Sequence, residues 1–279
     1  MRHSGDQLAD YRLVERVGAD RREVWEAVDT RDDRPVMLKV LPHLQDPAVR
    51  ERAERDAAAL RAAAHPAIVA VEAIEEAAGE IFVRTAVTTG TSLVDWVPRG
   101  GLDTARLLPN ATLLADAVRV AHEAGVTHRE LAPERVFVGD DGVLRVHDFG
   151  LSATDEGAED PSMDPDDTPT LTLTRESGRR DLGYLSPEQI KNLPLDRATD
   201  VYSVGATLYW MATGVHPFHG ETPADLFVAV LRDEPRPANL VRHDVPEGLL
   251  PILDRCLQKE RNRRYASAAE LHGELAGLA

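Results

Sequence analysis

The stretch His128–Val138 reads HRELAPERVFV, and eighteen residues past Glu130 stands Asp148-Phe149-Gly150. The first stretch follows a helical pattern, Asn110 to Ala124, whose C′ residue is Gly125 and whose start or kink is marked by Pro109. It runs into Val136-Phe137-Val138, the turn Gly139-Asp140-Asp141-Gly142 and Val143 to Val146, which predicts a β-hairpin. Downstream come Ser186-Pro187-Glu188, Asp200-Val201-Tyr202-Ser203-Val204-Gly205 and Arg264-Tyr265. Asp-Phe-Gly alone is a weak signal. The whole set, in this order, is a strong one.

Upstream, the chain reads as strands with one helix. Tyr11 to Val17 and Val24 to Asp29 alternate around a polar turn, and Pro35 to Leu41 is a short buried strand. Asp46-Pro47 predicts a capped helix start, with Val49, Ala53, Ala57 and Leu60 on one apolar face and His65-Pro66 as its stop. Two more strands are expected at Ile68 to Ile74 and Ile81 to Val87. Beyond Leu93 the pattern is mostly helical, so a β-rich lobe precedes a helical one. Ala224 to Leu231 reads as a short helix used for core packing.

Composition narrows the class. The 279 residues carry 32 basic and 48 acidic side chains, a formal net charge of −16. This disfavours a nucleic-acid backbone binder, which needs clustered positive charge. An apolar fraction of 43% supports a real core. The single cysteine, Cys256, excludes an intrachain disulfide or a cysteine metal cluster, and it reads as buried packing. No apolar run approaches 18 residues, so no membrane span is expected in this chain, although a membrane-tethered parent protein is compatible with it. Only three of the basic residues are lysines, Lys39, Lys191 and Lys259. His122, His147, His216 and His219 are not spaced as a metal site.

With these motifs the chain resembles the bacterial eukaryotic-like (Hanks-type) serine/threonine protein kinase domain over nearly its whole length. The resemblance implies an α+β, two-lobed fold in a single domain, residues 1–279. Its N-lobe (8–88) would be an antiparallel sheet plus one main helix, and its C-lobe (92–279) mostly helical, with an activation segment at 148–188. It implies that Asp200 holds the catalytic-loop backbone and that Glu188 pairs with Arg264. It also implies that Leu60 stacks with His128 and Phe149.

The catalytic motifs depart from the family pattern, which resembles a pseudokinase. Of the phosphate-covering GxGxxGxV only Gly18 survives, and Asp20 and Glu23 obstruct backbone approach to phosphates. Lys39 matches the phosphate-contacting lysine. Its helix partner aligns with Asp56, one methylene short, so that pair forms only if the helix moves closer by roughly 1–1.5 Å. Met37 and Phe137 replace smaller residues above and below the adenine ring. Either they fill the slot themselves or they swing aside and leave it open.

Glu130 stands for the proton-accepting aspartate, and a displacement of about 1 Å there costs roughly 100-fold in rate. Ala132 removes a phosphate-steadying lysine, a loss on the order of 10²–10³. Arg135 replaces the metal-binding asparagine with a permanent cation. Asp148 keeps the family's metal ligand, but Arg135 is expected to pair with Asp148 or Glu130 and replace Mg²⁺, the alternative being that Arg135 points to solvent. The expectation is no cofactor, with ATP bound weakly if at all, with or without Mg²⁺. A weak or unconventional kinase is the alternative.

Asp155 to Asp167 holds seven acids and two prolines, and residues 155–174 read as a mobile low-complexity loop. Thr168, Thr170, Thr172 and Thr174 alternate along it and are phosphosite candidates for an active serine/threonine kinase. A phosphothreonine-reading FHA domain would then be a partner. Arg129, Arg175, Arg179 and Arg180 are candidate N–H donors to such a phosphate, and an inert solvated loop is the competing reading. The expected location is the cytoplasm, or the cytoplasmic part of a membrane protein.

Overall fold

The computed structural model describes residues 2–17, 23–152 and 181–278. Gly18, Asp20, the four candidate threonines, Arg175, Arg179 and Arg180 lie outside the described residues.

The N-terminal lobe is one antiparallel sheet. Its strands are β1 (Gln7–Leu8), β2 (Tyr11–Arg16), β3 (Val24–Asp29), β4 (Arg34–Val40), β5 (Val71–Ala77) and β6 (Glu80–Ala86), in the order β1-β2-β3-β4-β6-β5. The helix α1 (Pro47–Ala63) lies between β4 and β5 in sequence. Asp46 caps it by accepting from the Ala48 amide at 2.8 Å, and Pro47 sits in its first turn. Ala53, Ala57 and Leu60 form its buried face. The helix stops at Ala63, just before the expected His65-Pro66, because Ala64 turns left-handed with φ 48°.

The strand expected from Ile68 starts instead at Val71. Ile68 pairs in parallel with Val146, and the Val69 amide donates to the Val146 carbonyl at 2.9 Å. These two residues therefore tie the lobes together rather than extend the sheet.

In the C-terminal lobe, β7 (Gly90–Ser92), β8 (Val136–Gly139) and β9 (Leu144–Val146) form a small sheet, with α2 (Leu93–Trp96) following β7. The expected hairpin is thus present with a third strand added. Helix α3 spans Thr104–Glu123 and is capped by Asp103, so it begins well before Asn110 and holds Pro109 in its interior. As the sixth helical residue, Pro109 removes one intrahelical hydrogen bond and crowds the Ala105 carbonyl, and the helix holds through its buried face at Leu107, Leu108 and Ala111.

After α4 (Pro187–Ile190) comes α5 (Arg197–Thr213), buried from Thr199 through Thr213. It is followed by α6 (Pro223–Arg232), α7 (Ala238–Val241), α8 (Leu249–Cys256) and α9 (Ala268–Ala276). A Cβ added to Gly205 of α5 would lie 2.3 Å from the Cys256 Cβ, so glycine is what lets α5 and α8 meet. Cys256 is buried, as expected, and burial pushes its thiol well above the usual range. Helix α6 packs on the core as expected, with Leu226, Phe227 and Leu231 partly buried against the cluster that holds Ala229 and Val230. Only Ala229 and Val230 are buried, and Val228 is 50% exposed.

Among the described residues no helix is long and apolar enough to cross a membrane.

Candidate active site

The site lies where β4, the segment before β8 and the segment after β9 converge. Asp200, near the start of α5, anchors the catalytic loop. Its Oδ2 accepts from the His128 amide and its Oδ1 from the Arg129 amide, each at 2.7 Å. His122 Nε2 lies 2.8 Å from the same Oδ2. Burial pushes the Asp200 carboxyl up, but His122 and His128 outweigh it and hold it below the usual range. The loop backbone is forced into shape by this anchor, since Arg129 takes φ 65°, a costly region for a side-chain-bearing residue. Gln189 adds a bond to the Arg129 carbonyl at 2.6 Å.

The His128 and Phe149 rings stack with centroids 4.7 Å apart, and Leu60 and Phe149 share the core cluster that bridges the lobes. Farther down, Arg264 forks onto Glu188 at 2.7 and 2.9 Å. Both are buried, and the guanidinium overcomes the burial penalty to hold the Glu188 carboxyl below its usual range.

The cleft itself centres on Asp148, whose backbone is left-handed at φ 70°. The Lys39 ammonium bonds directly to its Oδ2. The Arg135 guanidinium reaches the same oxygen, with Nε at 3.2 Å, and its second arm lies 3.8 Å from Glu130 Oε2. Arg135 is only 7% exposed, so it does not turn to solvent. Burial alone would raise the Asp148 carboxyl, but Lys39 and Arg135 together hold it far below the ordinary carboxylate range. Asp56 packs against Gly150, where an added Cβ would sit 2.7 Å from the Asp56 Cβ. That glycine, at φ 72°, is required on both counts.

Glu130 accepts from the Ser152 hydroxyl at 3.0 Å. Arg52 of α1 donates to the Ser152 carbonyl at 2.7 Å, and His43 Nε2 lies 2.9 Å from the Leu151 carbonyl. The segment after Gly150 is thus pinned to both lobes. Ala132 borders a small cavity of about 20 Å³, shared with Arg129, Glu130, Tyr184 and Ser203, with room for about one water molecule. Phe137 meets His147 edge-on at 4.9 Å, and burial pushes the His147 imidazole down to about 4. Met37 is half-buried on β4.

His122 was read only as not spaced for a metal site, and His43, Arg52 and Ser152 were not singled out by sequence. Their roles arise across 78, 108 and 100 residues of separation for the first three contacts, where no local pattern exists. Among the described residues no group of three or more His, Cys, Asp or Glu side chains could hold a metal ion.

This geometry is that of a protein kinase domain. The protein kinase domain family matches residues 12–274, and the chain belongs to that family. A probable serine/threonine-protein kinase of Clostridium acetobutylicum is 29% identical over 96% of this chain and 40% of its own length. The serine/threonine-protein kinase PknD of Mycobacterium tuberculosis is 30% identical over 96% of this chain and 39% of its own length. The chain therefore spans about 40% of the length of these curated relatives. The solved PknI kinase domain of Mycobacterium tuberculosis shares the fold, with a TM-score of 0.71 at 21% identity and full coverage of both chains (100%). Protein kinases ordinarily use ATP with Mg²⁺.

Proposed function

We propose that this domain is a catalytically impaired protein kinase, a pseudokinase that works as a regulatory or scaffolding module in serine/threonine phosphorylation signalling. The observation that carries the reading is the Arg135 guanidinium lying between Asp148 and Glu130. Phosphoryl transfer needs metal at the first carboxylate and a free proton-accepting carboxylate at the second. Here both face an arginine, and Ala132 offers no charge to the transferred group.

The nucleotide site formed by Gly18, Met37, Lys39, Asp56, Phe137 and Asp148 is then vestigial, with ATP bound weakly at most. Its partners would be an active serine/threonine kinase that modifies Thr168, Thr170, Thr172 or Thr174, and an FHA-type phosphothreonine reader. The proposed setting is the cytoplasm, either free or as the cytoplasmic part of a membrane-tethered protein.

The deciding experiment is phosphotransfer with labelled ATP across Mg²⁺ and Mn²⁺. The expected result is no turnover above background. Turnover that disappears on Lys39→Ala or Asp148→Asn overturns the reading. A weak or unconventional kinase is the second reading, favoured by the Lys39–Asp148 bond and the stacked His128–Phe149 pair, both compatible with an assembled cleft.

A further inference from the structure

The family's metal and this donor set do not fit together. Mg²⁺ demands near-octahedral oxygen coordination. Asp148 is the sole family metal ligand kept, and one of its oxygens already faces two cations, Lys39 and Arg135. Arginine cannot shed its charge to make way for a dication. Nor is it loosely placed. The Arg135 amide donates to the Ala132 carbonyl at 2.9 Å, and the Arg135 carbonyl accepts from the His147 amide at 2.8 Å. The backbone of Arg135 is thereby fixed beside the residue preceding Asp148.

We propose that Arg135 is a built-in counter-cation that stands where the divalent metal would, holding Asp148 and Glu130 in place and closing the cleft to Mg²⁺ and Mn²⁺. The segment that follows is held without metal as well, by Ser152 on Glu130 and Arg52 on the Ser152 carbonyl. The cleft is therefore assembled from the chain's own charges. This deepens the pseudokinase reading by naming what that site refuses, and the two can fail separately.

The test is Mn²⁺ titration followed by electron paramagnetic resonance of the free ion, on wild type, Arg135→Asn and Arg135→Lys, each with and without ATP. Melting temperatures in Mg²⁺ are recorded alongside. Wild type and Arg135→Lys are expected to bind no Mn²⁺ at the cleft. Arg135→Asn is expected to gain saturable Mn²⁺ binding at the cleft, to melt lower than wild type without metal, and to recover when metal is added. Saturable Mn²⁺ binding by wild type that Asp148→Asn removes overturns the proposal, and this arm decides even where Arg135→Asn fails to fold. An Arg135→Asn protein that folds, melts like wild type and still takes no metal overturns it too. Wild type that transfers phosphate without binding Mn²⁺ would break the pseudokinase reading and leave this one standing.

Discussion

Two groups of residues share the centre of this molecule, and they follow opposite rules. Asp200, His128, Glu188 and Arg264 are buried and mutually bonded, and all match the family pattern. Glu130, Ala132 and Arg135 follow His128 on the catalytic loop, and all depart from that pattern. The difference is where each group's energy is spent. A buried carboxylate that loses its partner leaves an uncompensated charge, so the first group is coupled to folding. The second group occupies positions that in the family face a reacting substrate, and the fold requires only that its charges be balanced locally. Arg135 against Asp148 and Glu130 does that balancing.

The comparison can be broken at several points. Arg264→Met should cost the most, about 3–5 kcal/mol, because Glu188 is left buried and unpaired. Denaturant unfolding measures it, and a loss below about 1 kcal/mol would remove the distinction drawn here. For the second group the sign reverses. The triple change Glu130→Asp, Ala132→Lys, Arg135→Asn should raise phosphotransfer by about 100-fold or more over wild type, read with labelled ATP. Failure of the folded triple variant to gain activity would place the defect elsewhere in the cleft.

Smaller effects sharpen the picture. Gly205→Ala should destabilise by about 1–3 kcal/mol through overpacking against Cys256, seen as an earlier thermal melt. Ser152→Ala should cost about 0.5–1.5 kcal/mol through the lost bond to Glu130. Its clearest readout is faster amide hydrogen exchange just after Gly150.

Acid provides a further test. Asp148, Asp200 and Glu188 are all held below their ordinary values. Carboxylates depressed in the folded state contribute stability that is complete above the unfolded pKa and lost as pH falls through the folded one. Stability should thus begin to fall below about pH 6.5, where the unfolded chain's histidines protonate while buried His147 stays neutral, and fall more steeply below roughly pH 4 as the carboxylates protonate. The fall should be shallower in Arg135→Asn, which loses one of the cations that depress Asp148. Urea titrations at a series of pH values check both points, and a parallel decline in the two proteins would argue that Arg135 does not act on Asp148.

Local signals carried much of this. The Asp46-Pro47 start, the Gly125 stop and the hairpin turn act within a few residues, so their elements are legible directly. The Ile68 strand and the Pro109 boundary were misplaced because tertiary contacts override local patterns there. Ile68 and Val69 are drawn to Val146, and the Asp103 cap lets a helix start ahead of its proline.

By itself, the sequence determined the family architecture and which side chains stand on the loop from His128 to Val138, because residue identity alone settles that Glu130, Ala132 and Arg135 lie there. Only the tertiary structure decided where the remaining charges go. It sent Lys39 to Asp148, turned Arg135 inward, and brought Arg52 and His43 onto the segment after Gly150. Those pairings span long stretches of chain and depend on burial, which strengthens charge–charge attraction and penalises any charge left alone.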